Sequence, residues 1–321
     1  MVMTDIDVLR NALAWLKTGQ KIILATVIQT WGSAPRKAGS HMVIREDGVF
    51  AGSISGGCVE GAVIQEALQE LDGVGREISF GISTEEAWEV GLSCGGELRV
   101  WLEAADQSIL NTILCNIDQR IVCALYFSLD GSQKMQALGN IDLGREENTA
   151  KSILDSRGNA LRIYYPPRRV FVIGAVHIAQ AFSLMAGQVG YEVIIIDPRE
   201  IFVDSQRWGD GRLRRIALYP DECLPEERLD SHDALIALSH DPKIDDIALK
   251  IGLEAGVFYI GALGSKKNHA KRCRRLMTEY DCSEAAVSRI SGPIGLDIGA
   301  KTPAEIAVSI LAELISYQGN R

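Results

Sequence analysis

The sequence predicts an α/β chain in two parts: a mixed α/β domain over residues 1–165 and a doubly wound parallel sheet over residues 166–321. Three observations carry this. The chain has 321 residues, 47% of them hydrophobic and 23% charged, an ordinary globular composition with room for two domains. The two prolines of Tyr164-Tyr-Pro-Pro-Arg-Arg169 fit neither a helix interior nor a central strand, so they mark a linker. Beyond them, short apolar runs and helix-periodic segments alternate regularly, whereas before them the order is irregular.

In the first part, residues 5–18 read as a helix, with Ile6, Leu9, Leu13 and Leu16 recurring at helical spacing. Residues 21–30 read as a strand, and Gly32-Ser-Ala-Pro-Arg-Lys-Ala-Gly39 as a loop. Residues 41–45 and 49–55 form a hairpin around the turn sequence Glu46-Asp47-Gly48. Val59, Ala62, Val63, Ala67 and Leu71 give residues 59–71 an apolar helical face. Strands are expected at 77–81 and 98–104, a helix at 107–120, and a second hairpin from 121–129 and 134–138.

The second part opens with Val170-Phe-Val-Ile-Gly174, a continuous apolar run of the kind found in strands buried on both faces. A helix at 177–188 follows, then a strand at 192–196 ending at Asp197. Further strands are expected at 234–238 and 257–260, with helices at 244–255 and 266–278. A last helix at 303–316 has Thr302 as its N-cap and Pro303 in its first turn.

The charge balance narrows the range of partners. Net charge is −9, with −7 carried by residues 1–165 and −2 by the rest. A nucleic-acid binder needs a basic surface to neutralise phosphates, so none is expected as partner. No segment approaches the roughly 20 apolar residues of a membrane span, and no membrane association is expected. The start, Met-Val-Met-Thr-Asp-Ile-Asp, lacks the basic and apolar regions of a signal peptide. Seven scattered cysteines with no Cys-x-x-Cys pair then point to reduced thiols in the cytoplasm.

Two of those cysteines sit beside paired glycines: Cys58 in Ser53-Ile-Ser-Gly-Gly-Cys-Val-Glu-Gly61, and Cys94 in Ser93-Cys-Gly-Gly-Glu97. Cys58 follows a strand and opens a helix, where free backbone N–H groups favour an anion. Three functional readings fit Cys58 with Gly56 and Gly57: a nucleophilic thiolate, a soft metal ligand, or a phosphate cradle with a thiol beside it. Set against them is a small buried residue packing a tight turn. Cys94 and Gly95 form a second glycine turn, and two thiols in the same company suggest one shared site. Cys115 and Cys123 lie in apolar stretches and are expected in the core. Arg36 stands in a loop at a strand end, where it reads either as a bidentate anion contact or as a solvated turn residue.

The run from Gly174 to Ala179 sits where a dinucleotide-binding fingerprint would, with a strand before it and a helix after. Asp197, at the end of the next strand, is placed to hold a ribose hydroxyl. Val176, however, stands at the expected second glycine, where a side chain blocks close approach of a pyrophosphate. His177 at the helix start reads as an anion contact or as a capping residue. Gly264 and Ser265, before Lys266 and Lys267 at another helix start, form a candidate phosphate site. The basic run from Lys266 to Arg275 also fits a plain solvated helix face.

Taken together, the motifs resemble the xanthine dehydrogenase accessory factor family, XdhC/CoxI, over nearly the whole chain. The matching segments are Gly32-Ser-Ala-Pro-Arg36, Gly52-Ser-Ile-Ser-Gly-Gly-Cys-Val-Glu60, Cys94-Gly-Gly96, Gly174-Ala-Val-His-Ile-Ala179, Asp197-Pro-Arg199, Tyr259-Ile-Gly-Ala-Leu-Gly-Ser265 and Gly292-Pro-Ile-Gly-Leu-Asp-Ile-Gly-Ala300. The resemblance implies a Rossmann-like second domain and a cytoplasmic accessory protein with no catalytic residues of its own. It implies binding and protection of the molybdenum cofactor, a pterin dithiolene with a phosphate, and its insertion into a molybdenum hydroxylase of the xanthine dehydrogenase type. A cysteine desulfurase is a second implied partner, and a homodimer an implied assembly. Carried over by motif, Cys58 would touch the molybdenum centre and Cys94 the cofactor, with Gly95 and Glu60 beside them. The competing reading is an NAD(P)-dependent oxidoreductase that uses Asp197, which Val176 weakens.

Overall fold

The computed structural model describes residues 3–31, 36–69, 71, 75–80, 97–129, 136–139, 153–155, 157–204, 208 and 213–319. The chain divides into two compact units, Met3–Pro166 and Pro167–Arg321.

The first unit opens with α1 (Asp5–Lys17). Its start is fixed by a reciprocal cap: the Asp7 backbone N–H donates to the Thr4 hydroxyl, and the Thr4 N–H donates to the Asp7 carboxylate. β1 (Ile22–Trp31), β2 (His41–Arg45) and β3 (Phe50–Gly52) follow, then α2 (Glu60–Gln69), β4 (Arg76–Phe80) and β5 (Glu97–Ala104). Their antiparallel sheet runs β3-β2-β1-β5-β4. Central β1 is buried on both faces. Ile22, Leu24 and Ile28 join the cluster built by α1, while Ile23, Ala25 and Val27 join the cluster beneath α2. α3 (Gln107–Asp118) packs on the first of these clusters through Leu110, Ile113, Leu114 and Ile117. β6 (Cys123–Ser128), β7 (Gln136–Gly139) and β8 (Asn159–Tyr164) form a three-stranded sheet in the order β7-β6-β8.

The sequence reading differs from this unit in three places. The second strand of the first hairpin stops at Gly52, because Ser53 to Val59 bend into the loop described below. β8 is absent from that reading, since Asn159, Arg162 and a half-buried pattern hide its alternation. Cys115 is exposed on α3, although Cys123 is buried; an apolar helix still has an outer face.

The second unit contains β9 (Arg169–Ile173), α4 (His177–Gln188), β10 (Glu192–Ile196), α5 (Glu200–Val203) and β11 (Leu213–Ile216). α6 (Pro220–Glu227), β12 (Ala234–Ala237), α7 (Pro242–Ala255), β13 (Tyr259–Ala262) and α8 (Lys266–Glu279) come next. α9 (Glu284–Val287), β14 (Ile290–Ser291) and α10 (Pro303–Gly319) complete it. Every strand pair is parallel, in the order β11-β10-β9-β12-β13-β14. This is the Rossmann order, which reverses between β9 and β12. Along β9, Val170 and Val172 face the layer of α4 and α10, while Phe171 and Ile173 face that of α6, α7 and α8. The start of β9 is pinned by the buried pair Arg169–Asp233, at 2.9 and 2.6 Å. The sequence reading lacks α5, β11, α6, α9 and β14. β11 is an edge strand, Leu-Arg-Arg-Ile, with no apolar run to announce it, and β14 is two residues long.

Candidate functional site

The Ser53-Ile-Ser-Gly-Gly-Cys-Val-Glu60 segment connects β3 to α2 as a loop folded around one carboxylate. Glu60 is the first residue of α2 and is buried at 7% exposure. Its Oε1 accepts from the Ser53 hydroxyl at 2.7 Å, the Ile54 N–H at 3.2 Å and the Ser55 N–H at 3.0 Å. Its Oε2 accepts from the Ser55 hydroxyl at 2.5 Å and the Gly57 N–H at 2.9 Å. The Ser55 Oγ in turn accepts from the Cys58 and Val59 N–H groups, both at 3.0 Å. Gly56 and Gly57 take φ of +84° and +112°, which is why two glycines stand here. Burial works to raise the Glu60 pKa, but the Ser55 and Ser53 hydroxyls and the backbone donors outweigh it and hold the group at about 2.

This wiring changes the reading of the motif. The backbone donors expected to cradle a cofactor phosphate are already met by the protein's own Glu60, Ser55 and Ser53. Glu60 is a strut beneath the loop, turned away from solvent. What the loop offers outward is Gly56, Gly57 and Cys58, all exposed. The competing reading of Cys58 as a buried packing residue is therefore set aside.

Arg36 supports the same loop from outside. Its Nε donates to the Ser53 carbonyl at 3.1 Å and its Nη2 to Asp5 Oδ1 at 3.3 Å. Asp5 also accepts from Arg162 Nη2 at 3.0 Å and the His41 N–H at 3.4 Å. Behind these, fully buried His41 shares hydrogen bonds with the Tyr164 hydroxyl at 2.6 Å and the Thr26 hydroxyl at 3.1 Å. Burial lowers the His41 pKa to about 4; Asp5 opposes this, and Arg162 and Arg36 add to it. Cys94 and Gly95 lie outside the described residues, so their turn is not placed beside Cys58. Among the described residues, no group of three or more His, Cys, Asp or Glu side chains could enclose a metal ion.

His41 is depressed from 6.5 to about 4, so the unfolded chain takes up its proton first, and stability falls as pH drops from 6.5 towards 4. Glu60 is depressed from 4.5 to about 2, so its contribution is complete above pH 4.5 and is lost towards pH 2. Urea unfolding of the first unit across this range should show both losses, and a His41→Asn variant should lack the upper one.

In the second unit, Gly174 has φ of +105°, and a Cβ there would lie 2.7 Å from the Ser239 backbone. It lets β9 end against the loop that follows β12. Asp197 is fully buried and its carboxylate is already engaged. It accepts from the Ala175 N–H at 2.8 Å, the Arg199 N–H at 3.0 Å, and Arg199 Nε and Nη2 at 2.8 and 2.6 Å. Burial pushes the Asp197 pKa up, but the Arg199 and Ala175 hydrogen bonds prevail and hold it low. A carboxylate so occupied is not offered to a ribose. Val176 is the N-cap residue of α4 and supplies no side-chain cap, and His177 beside it is exposed. The NAD(P) reading thus loses the acidic residue on which it depended. Titration with NADH to millimolar concentration should show no saturable binding that depends on Asp197.

Gly264 and Ser265 do open a helix: the Ser265 hydroxyl caps α8 by accepting from the Asn268 N–H at 3.2 Å. Sequence reasoning missed Glu313 on α10. It accepts from the Tyr259 hydroxyl at 2.5 Å, the Ser291 hydroxyl at 2.5 Å and the Gly295 N–H at 2.7 Å. It thereby fixes the Gly292-Pro-Ile-Gly295 loop, while Leu296 and Ile298 beyond it stay exposed. Only a helical position facing three separated donors reveals that role, and no local pattern carries it.

Fold and loop together define a two-unit α/β protein with an exposed thiol on a strand-to-helix loop and a Rossmann unit whose Asp197 carboxylate is already engaged. Family models match both units. Residues 170–314 match the XdhC Rossmann domain and residues 15–81 match the XdhC and CoxI family. The chain belongs to the XdhC/CoxI family. It is 30% identical over 97% of its length to the molybdenum cofactor insertion chaperone PaoD of Escherichia coli, covering 88% of that protein. It is 26% identical to a probable xanthine dehydrogenase subunit of Bacillus subtilis, with 94% of each chain covered. A crystal structure described as a xanthine dehydrogenase from Bacillus halodurans superposes with a TM-score of 0.78 at 26% identity, covering 99% of this chain and 97% of that one.

Proposed function

We propose that this protein binds the molybdenum cofactor, protects it and delivers it to an apo molybdenum hydroxylase of the xanthine dehydrogenase type. The observation that carries the reading is the exposed Cys58 thiol, presented on a backbone that Glu60 locks from beneath. A soft sulfur donor suits a soft metal centre and its sulfur-rich ligands. A loop that is rigid before its cargo arrives has little conformational entropy left to lose on binding. An exposed site also suits a carrier, which must release what it holds.

Cys58 contacts the metal centre in this reading, with Gly56 and Gly57 allowing the cargo close to the main chain. Cys94 and Gly95 complete the contact set, while Glu60 and Arg36 hold the loop in place. Residues 1–165 form the cargo-binding domain, and residues 166–321 the Rossmann-like domain that carries Gly174, His177, Asp197, Gly264 and Ser265. A cysteine desulfurase supplies sulfur while the cofactor is held, and the working form is a cytoplasmic homodimer. The chain acts as an accessory protein, and the redox chemistry belongs to the hydroxylase.

Purification from cells that make molybdenum cofactor tests the reading. Molybdenum by elemental analysis and oxidised pterin by fluorescence should co-elute with the protein. Protein free of both, recovered from cells rich in the cofactor, would contradict it.

A further inference from the structure

The loops that follow β12 and β13 enclose a cavity of about 220 Å³. Its wall includes His240, Gly264, Asn268, Lys271, Arg272 and Arg275. Among the described residues, no carboxylate lines it. Asp246 lies behind and takes Arg275 in a two-point pair at 2.6 and 3.1 Å. Asp245, fully buried, accepts from the Ser239 N–H at 3.2 Å and hydroxyl at 2.6 Å.

Arg272 sits differently from its neighbours. It is 6% exposed, yet only its Nη2 makes a hydrogen bond, to the Leu263 carbonyl at 3.1 Å. Asp245 and Asp246 approach its guanidinium at 3.5 and 3.6 Å, beyond good hydrogen-bond distance. Nε and Nη1 have no hydrogen-bond partner. Arg272 lines the cavity with Gly264, and its Nη1 stands 3.9 Å from where a Cβ on Gly264 would be. Buried guanidinium donors without acceptors are costly, and a planar fork beside Lys271 is matched by an oxyanion. The cavity lies at the carboxyl ends of parallel strands, where open α/β sheets place their ligands. Its volume is below the roughly 300–1,000 Å³ of sites that enclose a whole organic ligand, so it suits one charged group of a larger molecule.

We propose that this cavity is an oxyanion site that takes a phosphate group, with the Arg272 guanidinium as its buried positive charge and Lys271 and Asn268 at its mouth. The site belongs to the second unit and does not depend on the role of Cys58 in the first.

The test is a titration of the full-length protein with inorganic phosphate, followed by 31P NMR line shape and by thermal stability at constant ionic strength. Saturable binding and a raised melting temperature are expected. Affinity should fall at least tenfold in Arg272→Gln and severalfold in Lys271→Gln. If Arg272→Gln does not fold, exposed Lys271→Gln carries the comparison. Parallel arms with pyrophosphate and a nucleoside monophosphate separate a free anion from a phosphate ester, and tighter binding of the ester identifies the ester as the ligand. No saturable binding of any arm, or binding unchanged in Lys271→Gln and in any folded Arg272 variant, would overturn the proposal.

Discussion

Replacing Cys58 with alanine is expected to remove cofactor retention while leaving the fold as it is. The Cys58 side chain is exposed, and its backbone N–H donates to Ser55 Oγ at 3.0 Å. Alanine keeps that N–H. Stability should therefore change by less than about 0.5 kcal/mol, the usual range for an exposed substitution away from caps and cores. Losing a direct sulfur contact to a metal centre should weaken binding by two orders of magnitude or more, equivalent to about 3 kcal/mol. Gel filtration of protein mixed with molybdopterin, with pterin fluorescence read in the protein peak, gives the comparison. Equal pterin in wild type and Cys58→Ala would remove Cys58 from the site.

Glu60→Ala should do the opposite, damaging the fold first and binding as a consequence. Five donors converge on that carboxylate, three of them backbone N–H groups that no other side chain in the loop is placed to satisfy. Some will find water, since the loop is at the surface, so the loss is expected at about 3 kcal/mol rather than the sum of five bonds. Glu60→Gln keeps one acceptor oxygen and should lose less, about 1–2 kcal/mol. Chemical denaturation measures both, and cofactor retention should fall in the same order. If Glu60→Ala unfolds like wild type, the carboxylate is not the strut that its hydrogen bonds describe.

Much of the second unit was legible because its strands advertise themselves. Val170-Phe-Val-Ile and Glu192-Val-Ile-Ile-Ile are apolar on nearly every residue, as strands covered on both sides must be, and helix-periodic segments separate them. β11 and β14 stand at the sheet edges, where half of each strand meets solvent and that signal fades. In the first unit, β8 escaped notice for the same reason.

The candidate loop was legible as a place but not as a mechanism. Paired glycines before a cysteine at a helix start marked the strand-to-helix turn, and the positive φ values at Gly56 and Gly57 bear out that conformation. The sequence could not show whether Glu60 points out to a ligand or back into the loop. That depends on which donors surround it, and all of them come from the residues just upstream. Asp197 is the parallel case. Its spacing from Gly174 matches a ribose-binding acid, but Arg199, two residues further on, claims the carboxylate. In both places an acidic residue that looked available to a ligand is consumed by its own neighbours.

Delivery is the central claim, and reconstitution of a cofactor-free molybdenum hydroxylase tests it most directly. Apo-hydroxylase would be incubated with limiting molybdenum cofactor, alone or preloaded on this protein, and hydroxylase activity followed over time. Preloaded wild-type protein should activate the enzyme faster and further than free cofactor, and Cys58→Ala should give no more than free cofactor gives. Activation that is the same with and without this protein would contradict the account.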